Sequence, residues 1–557
     1  MTPPKDAPDR SELLFLPLGG AGEIGMNLNL YGHAGKWLMI DLGITFGDDT
    51  TTPGIEVLMP DPGFIVERRH DLAGLVLTHA HEDHVGAVPY LWPRLRCPIF
   101  ATPFTAAVVR RKLHEAGLDG EAVVTEIPIS GRFVVPPFEL ELITLTHSIP
   151  EPNGVVIRTR LGNVLHTGDW KLDPDPLIGP VADEAALRRL GDEGTLAMVC
   201  DSTNVFVEGE SGSEADVRGS LHELVGRFTN RVAVACFATN VARLETIARV
   251  AAAHDLHTAL VGRSLRRIVE AARATGYLRD LPDFLDEHDA GFLPRDRVVL
   301  ICTGSQGEPR SALARIARED HPHVVLEPGD AAIFSSRIIP GNERAIARLQ
   351  NGLARLGVEV VTERDHFVHV SGHPAREELI AMYRWVRPRI AVPVHGEARH
   401  LRAHARLAES CQVRTAIVAE NGTLVRLAPA PAEAIGTVPA GRLGLDGTNL
   451  MRLDGAVMKS RHRMVHNGAA VATIVIDAEG RLQAEPQLSV PGLLDPEEHE
   501  AVREAVIAAV KSALDSLPQA RRRDDASVRE SARLAVRRVL HANRGKKPVT
   551  EVHLVRI

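Results

Sequence analysis

The chain has 557 residues, 44% of them hydrophobic and 24% charged, with a formal net charge of −8. That is ordinary globular composition, with material for two to four domains at roughly 100–200 residues each. No apolar run reaches the roughly 18 residues of a membrane span, and the acidic balance excludes a uniformly basic nucleic-acid binder, so positive charge for a polyanion must be local.

The start, MTPPKDAPDRSE, is polar and lacks the apolar stretch of a secretory signal. Cysteines 97, 200, 236, 302 and 411 are scattered, without a CxxC pair. Disulfides and a thiolate metal site are therefore not expected, and the cytoplasm is the expected compartment.

Residues 13–18 read as a strand and lead into Gly20-x-Gly22-x-x-Gly25, the outline of a dinucleotide-binding loop. Such a loop needs a helix directly after it. Residues 26–31 alternate instead and 36–41 read as another strand, so the glycines are expected to form a tight loop beside a site. Further on, apolar runs end in metal-ligand side chains. Residues 75–77 lead to His79, 138–146 to His147, 164–165 to Asp169, 196–200 to Asp201 and 390–394 to His395. Polar groups at strand mouths are where α/β proteins place their chemistry.

From residue 202 to about 363, strands at 231–236, 259–261, 298–302 and 331–334 alternate with helical stretches. The segment around 427–440 is rich in Ala and Pro and reads as a linker. A small αβ unit closes the chain. It has a strand at 471–476, a turn at 478–480 and a helix opened by Asp495-Pro496-Glu497-Glu498, with a capping carboxylate and proline at the first helical position. Val502, Val506, Ala509, Val510 and Ala513 give that helix an apolar stripe; a basic helix and a strand at 552–557 follow.

Thr78-His79-Ala80-His81-Glu82-Asp83-His84 sets four potential ligands within six residues. A lone histidine is usually structural. This cluster, with further His and Asp at later strand ends, points to neutral imidazole and carboxylate around zinc, or manganese where oxygen ligands dominate. Two such cations can activate water near neutral pH and offset the charge gathering on a phosphodiester under attack.

The HAHEDH run resembles the signature of the metallo-β-lactamase superfamily. Carried over residue by residue, the resemblance implies one metal on His79, His81 and His147. A second falls on Asp83, His84 and His395, with Asp169 bridging, Glu82 turned away and Asp41 supporting from outside. The 226-residue interval from Asp169 to His395 leaves room for an inserted domain. Within the superfamily the chain resembles the β-CASP nucleases, through Asp201 in CDSTN, His373 in HVSGH and His395 in PVHGE. With LPLGGAGEIGMN, TGSQGEP and the C-terminal unit, it resembles the bacterial ribonuclease J family over nearly its whole length.

The resemblance implies an α/β fold, a metallo-β-lactamase αββα sandwich with an inserted α/β β-CASP domain and a small C-terminal α/β domain. The expected division is 1–205 and 361–428 for the sandwich, 206–360 for the insertion, 429–448 for the linker and 449–557 for an assembly domain. It implies a two-metal ribonuclease in RNA decay and maturation, a 5′→3′ exonuclease favouring a 5′-monophosphate end, with endonuclease activity. The cations would be Zn2+, with Mn2+ or Mg2+ the alternatives. Asp83, Asp201 and His373 would be catalytic. Thr239-Asn240, Thr303–Gly307 with Ser305, and Ser371-Gly372-His373 set hydroxyls and N–H groups near expected helix starts, which suits phosphate. His369, Ser371, His373, Thr239, Asn240 and Ser305 are thus the expected substrate contacts. Basic clusters at 110–112, 263–267, 521–523 and 544–547 are read first as solvated faces. With 4% aromatic residues, RNA binding should be mostly backbone-directed. Single-stranded RNA, a homodimer or homotetramer and other enzymes of RNA decay are the expected partners, with no membrane. A β-CASP enzyme acting on DNA and a non-catalytic RNA-binding scaffold are the alternatives.

Overall fold

The computed structural model describes residue 9, residues 11–48 and residues 50–557, with backbone alone at 496–499. Most of the polar N-terminal segment read for a signal lies outside the described residues. Among those described, no helix is long and apolar enough to cross a membrane.

One unit comprises the chain up to Thr45 together with Met59–Ala440. An eight-stranded sheet in the order Glu433–Thr437, Thr423–Ala428, Leu13–Gly19, Leu28–His33, Lys36–Ile40, Leu72–Val76, Ile99–Ala101, Val124–Glu126 faces a seven-stranded sheet. The second sheet runs Arg132–Val135, Phe138–Thr144, Asn153–Thr159, Gly162–His166, Thr195–Asp201, Ile390–Val394, Thr415–Ala416. Phe15, Tyr31, Leu38 and Ile40 meet Phe138, Leu140, Val155, Val164 and Val392 between the sheets. Central strands such as Leu13–Gly19 and Thr195–Asp201 are buried along their whole length, because the outer faces are covered as well. Helices Glu184–Glu193, Arg376–Val386 and Ala398–Ser410 cover the second sheet through Leu187, Leu190, Leu379, Met382 and Leu407. Each such side chain contributes about 1.5–3 kcal/mol on leaving water.

Thr195–Asp201 and Ile390–Val394 are parallel neighbours, with Asp201 opposite Val394. Between them the chain makes a five-stranded parallel sheet in the order His257–Val261, Val298–Cys302, Val232–Ala235, Ala331–Phe334, Glu359–Val361. Apolar clusters lie on both its faces. The first strand is central and the order reverses around it, which opens a crevice at the strands' C-terminal ends. The loops carrying Thr239 and Thr303 leave from those ends.

The other unit consists of residues 46–58 and Gly441–Ile557. A three-stranded sheet, Gln487–Ser489, Ala469–Ile476, Val549–Arg556, packs against helices Pro496–Asp515 and Asp525–Arg544 through Ala472, Ile474, Val506, Val510, Val536 and Leu540. The helix does begin with Pro496 after Asp495, but the Asp495 side chain makes no capping hydrogen bond. Three features differ from expectation. The stretch 429–448, where one unit ends at Ala440 and the other resumes at Gly441, also contains strands: Glu433–Thr437 extends the first sheet and Arg442–Asp446 belongs to the other unit. A helix, Ala456–Asn467, precedes the first expected strand. Residues 46–58 leave the N-terminal half of the chain to join the C-terminal unit. Nothing in their local pattern announces that long-range passage.

Candidate metal and active site

The Leu72–Val76 strand delivers the HAHEDH segment to the edge of the sandwich, where it turns into the short helix Glu82–Val85. Buried Asp41 organises that turn. Its carboxylate accepts from Thr78 N at 2.8 Å, from Thr78 Oγ1 at 2.9 Å and from His84 Nδ1 at 2.7 Å. Asp41 and His395 both have left-handed backbones, φ 63° and 51°. That conformation costs roughly 1–3 kcal/mol each and is held by the packing around it.

Two ligand groups result. His81 Nδ1 lies 3.1 Å from His79 Nε2 and 3.0 Å from His147 Nε2. In the second, Asp83 Oδ2 lies 3.1 Å from His395 Nε2, and Asp169 Oδ2 lies 3.1 Å from His84 Nε2. Within each group the potential ligand atoms all fall within 4.8 Å of one another. A third overlapping group, Asp169, Asp201, His373 and His395, was not expected from the sequence. Glu82 is turned away and paired with Lys112 at 2.6 Å.

The outward-facing ring nitrogens test whether these residues suit metal. His79 Nδ1 meets Thr78 Oγ1 at 3.0 Å, His147 Nδ1–H donates to the Gly372 carbonyl, and His395 Nδ1 meets Thr203 Oγ1 at 2.9 Å. With His84 on Asp41, four rings are held so that Nε2 points inward, the arrangement that orients metal-bound imidazoles. His81 is the exception, turning Nδ1 inward with Nε2 3.5 Å from Ser148 Oγ. Burial, with the facing imidazoles, pushes His79 and His147 well below the usual histidine range. Burial also lowers His81, to about 4. These rings are neutral at pH 7, the form that binds metal. Against burial, His395 and His84 hold the Asp169 carboxyl down at about 2, an ionised ligand. The donor set therefore fits divalent cations.

Beside the groups, His373 Nδ1 meets Asp201 Oδ2 at 2.8 Å. Thr203 and Asn204, which sequence reasoning left unassigned, connect the loops. Thr203 Oγ1 donates to Asp201 Oδ1 at 2.7 Å, while Asn204 Nδ2 donates to Ser371 Oγ at 2.7 Å and to the His373 carbonyl at 3.0 Å. The position of both in CDSTN was the available signal. Gly372 must be glycine, because a Cβ there would collide with the His147 ring. The chain just before this loop is pinned from the inserted sheet. Arg243, fully buried, donates to the Val368 carbonyl at 2.8 Å and pairs with Glu214 at 2.9 Å.

The expected substrate residues divide. Ser371 and His373 are half-buried beside the metal-ligand groups; His369, on the same loop, has a buried Nδ1 without a hydrogen-bond partner among the described residues. Thr239 is half-buried at the start of helix Val241–Ala253, whose Ala242 N lies 3.4 Å from the Ser148 carbonyl. Two expectations need correcting. Asn240 is buried and its side-chain oxygen caps its own helix at Arg243 N, 2.9 Å away, so that oxygen is not offered to a strand. Ser305 is buried as well, because the helix after its loop begins only at Ala312 and the loop folds inward before it. Arg110, Arg111, Lys112, Arg266 and Arg267 pair with carboxylates, as a solvated face would.

Comparison with known proteins agrees with this architecture. Residues 26–196 match the model of the metallo-beta-lactamase superfamily and 229–353 that of the ribonuclease J beta-CASP domain. Residues 357–418 match a Zn-dependent metallo-hydrolase RNA specificity domain and 456–557 the ribonuclease J C-terminal domain. The chain is 43% identical to Ribonuclease J of Sinorhizobium meliloti over 99% of both chains. It is 41% identical to Ribonuclease J of Mycolicibacterium smegmatis over 90% of both. A crystal structure of a protein of unknown function from Enterococcus faecalis shares the fold, with TM-score 0.50 and 14% identity over 75% of this chain and all of that one.

Proposed function

The chain belongs to the ribonuclease J family and is a metal-dependent ribonuclease; from that premise we propose that it degrades single-stranded RNA 5′→3′ from a 5′-monophosphate end, with some internal cleavage. The observation that carries this reading is a cationic, hydroxyl-bearing cluster one hydrogen bond from His373. Asn204 joins Ser371 to the His373 carbonyl, and exposed Arg337 reaches Asn204 Oδ1 at 3.4 Å with no ion pair among the described residues. A terminal phosphate offers the charge and acceptors such a cluster suits.

His79, His81 and His147 would hold one divalent cation and Asp83, His84 and His395 another, with Asp169 shared. The imidazole-rich set favours Zn2+ over Mn2+ or Mg2+. When bound, the pair lowers the pKa of water and neutralises charge on the reacting phosphate. The chain's own residues do the rest. Asp201 fixes His373 through Nδ1, which leaves Nε2 to place the scissile phosphate or protonate the departing 3′ oxygen. Asp83 and Asp169 bring negative charge to the cations, and Ser371, His369 and Thr239 seat phosphates. The mode is backbone-directed, which suits sequence-tolerant decay in the cytoplasm, alongside other enzymes of RNA decay.

Assembly as a homodimer or homotetramer fits the C-terminal unit. Val549–Arg556 is an edge strand of its sheet, with Val555 and Ile557 exposed, and such edges invite pairing. An unchanged elution volume after truncation at Gly447 would count against it.

The function is tested by following 3′-labelled 5′-monophosphate RNA, 5′-triphosphate RNA and DNA, with Asp83→Ala/His84→Ala as control. Fast, metal-dependent loss of monophosphate RNA alone is expected. Equal decay of mono- and triphosphate strands would refute the 5′-end preference.

A further inference from the structure

The loop that supplies Asp201, Thr203 and Asn204 ends in an exposed aromatic residue. The turn is closed by Val205 N to the Ser202 carbonyl at 3.2 Å and Val207 N to the Asn204 carbonyl at 2.8 Å. Val205 is buried under it, so Phe206 is turned outward and stays 51% exposed. Its ring lies 5.2 Å from that of His400, and the Arg399 guanidinium lies 5.9 Å from its centroid. His400 packs against Gly396, directly after His395.

The two ends of this loop face different neighbours. Asn204 reaches Ser371, and Phe206 meets His400 of the Ala398–Ser410 helix. An exposed phenylalanine beside a guanidinium, continuous with a site that handles RNA, has the chemistry of a nucleobase platform. Every base has a π-face, and arginine adds cation–π attraction; Arg399 also pairs with Glu397 at 3.1 Å, which holds its guanidinium in place.

We propose that Phe206, with Arg399, stacks a nucleobase of the RNA on the 3′ side of the scissile bond, at the other end of this loop from the Asn204–Ser371 contact. The platform supplies base contact that the backbone-directed centre lacks, and holds the strand after each terminal nucleotide leaves. Its side rests on the reading of the Ser371 flank as the seat of the 5′ phosphate.

The test uses the metal-loaded full chain on short 5′-monophosphate RNAs, each carrying one abasic nucleotide at a successive position. Phe206→Ala should raise KM roughly 5- to 100-fold, equivalent to about 1–3 kcal/mol at 1.4 kcal/mol per factor of ten. Phe206→Tyr should restore it. In the native chain one abasic position beyond the first nucleotide should weaken binding by a similar factor, and Phe206→Ala should be insensitive at that position. Absence of such coupling at every position overturns the proposal, even if Phe206→Ala is impaired. Coupling at the first nucleotide overturns the assigned side. Parallel strands with a 5′ hydroxyl test the Ser371 reading separately, because loss of the 5′-phosphate preference leaves the stacking readout unaffected.

Discussion

Replacing Thr203 with valine keeps the shape and removes one hydroxyl. With His395 Nε2 inward, Nδ1–H donates to Thr203 Oγ1 at 2.9 Å, and that hydroxyl donates to Asp201 Oδ1 at 2.7 Å. In Thr203→Val the ring N–H is left buried without its acceptor, which costs about 1–3 kcal/mol. Asp201 Oδ1 lies 3.5 Å from the same nitrogen and can recover part of this. The expected net cost is therefore about 1–2 kcal/mol, or roughly 5- to 30-fold in affinity for the cation that His395 binds. That range overlaps the roughly 10- to 100-fold typical of losing an outer partner of a metal-bound imidazole. Competition against a chelating dye should show one weakened site and one unchanged, since His79, His81 and His147 take no support from Thr203. Thr203→Ser should stay within about threefold of the native chain. Native-like affinity in Thr203→Val, or an equal loss in Thr203→Ser, would refute the argument.

His373→Ala should lower kcat by roughly 100- to 10,000-fold, the usual worth of a proton-transfer group, with metal content by atomic absorption unchanged; full turnover would remove His373 from the reaction. Arg243→Met strands the Glu214 carboxylate in the core, at about 3–5 kcal/mol, and leaves the Val368 carbonyl with the Ser335 hydroxyl at 2.7 Å as its remaining donor. Calorimetry should show a lower melting temperature, largely restored by adding Glu214→Leu; native-like melting of the single variant would be the contrary result. His404 lies fully buried between Ser202 Oγ and Tyr383 OH, each at 2.9 Å, and burial lowers its pKa from 6.5 to about 4. The unfolded chain therefore takes up a proton there below pH 6.5 while the folded one does not. Stability should fall by about 3 kcal/mol between pH 6.5 and 4, with no contribution above that window. Urea midpoints should depend less on pH in His404→Gln, and identical slopes would contradict the assignment.

Much of the centre could be read from the sequence because its signals are local. The HAHEDH run confines His79, His81, Asp83 and His84 to a single turn, and a short apolar run before each further ligand marks a strand mouth. Alternation and burial are properties of a few adjacent residues, so the ends of the strands at 72–76, 162–166 and 390–394 were visible without knowing their partners. Nucleotide binding at Gly20, Gly22 and Gly25 could be set aside for the same reason. The next segment alternates, and it forms the Leu28–His33 strand.

Pairings between distant segments were not legible. Thr195–Asp201 and Ile390–Val394 lie side by side in the second sheet, although the whole inserted sheet lies between them in sequence. That adjacency places Thr203 against His395 and Asn204 against Ser371. The same limit hid the strands inside the supposed linker and the passage of residues 46–58 to the C-terminal unit. It also hid the inward turn of Asn240 and Ser305. Residue type and spacing determined which side chains could bind a cation. Apart from His79 beside Thr78, which nitrogen faces it and which group holds the ring were decided only by tertiary structure, because those contacts join residues 43 to 225 positions apart whose approach is set by the burial of whole sheets.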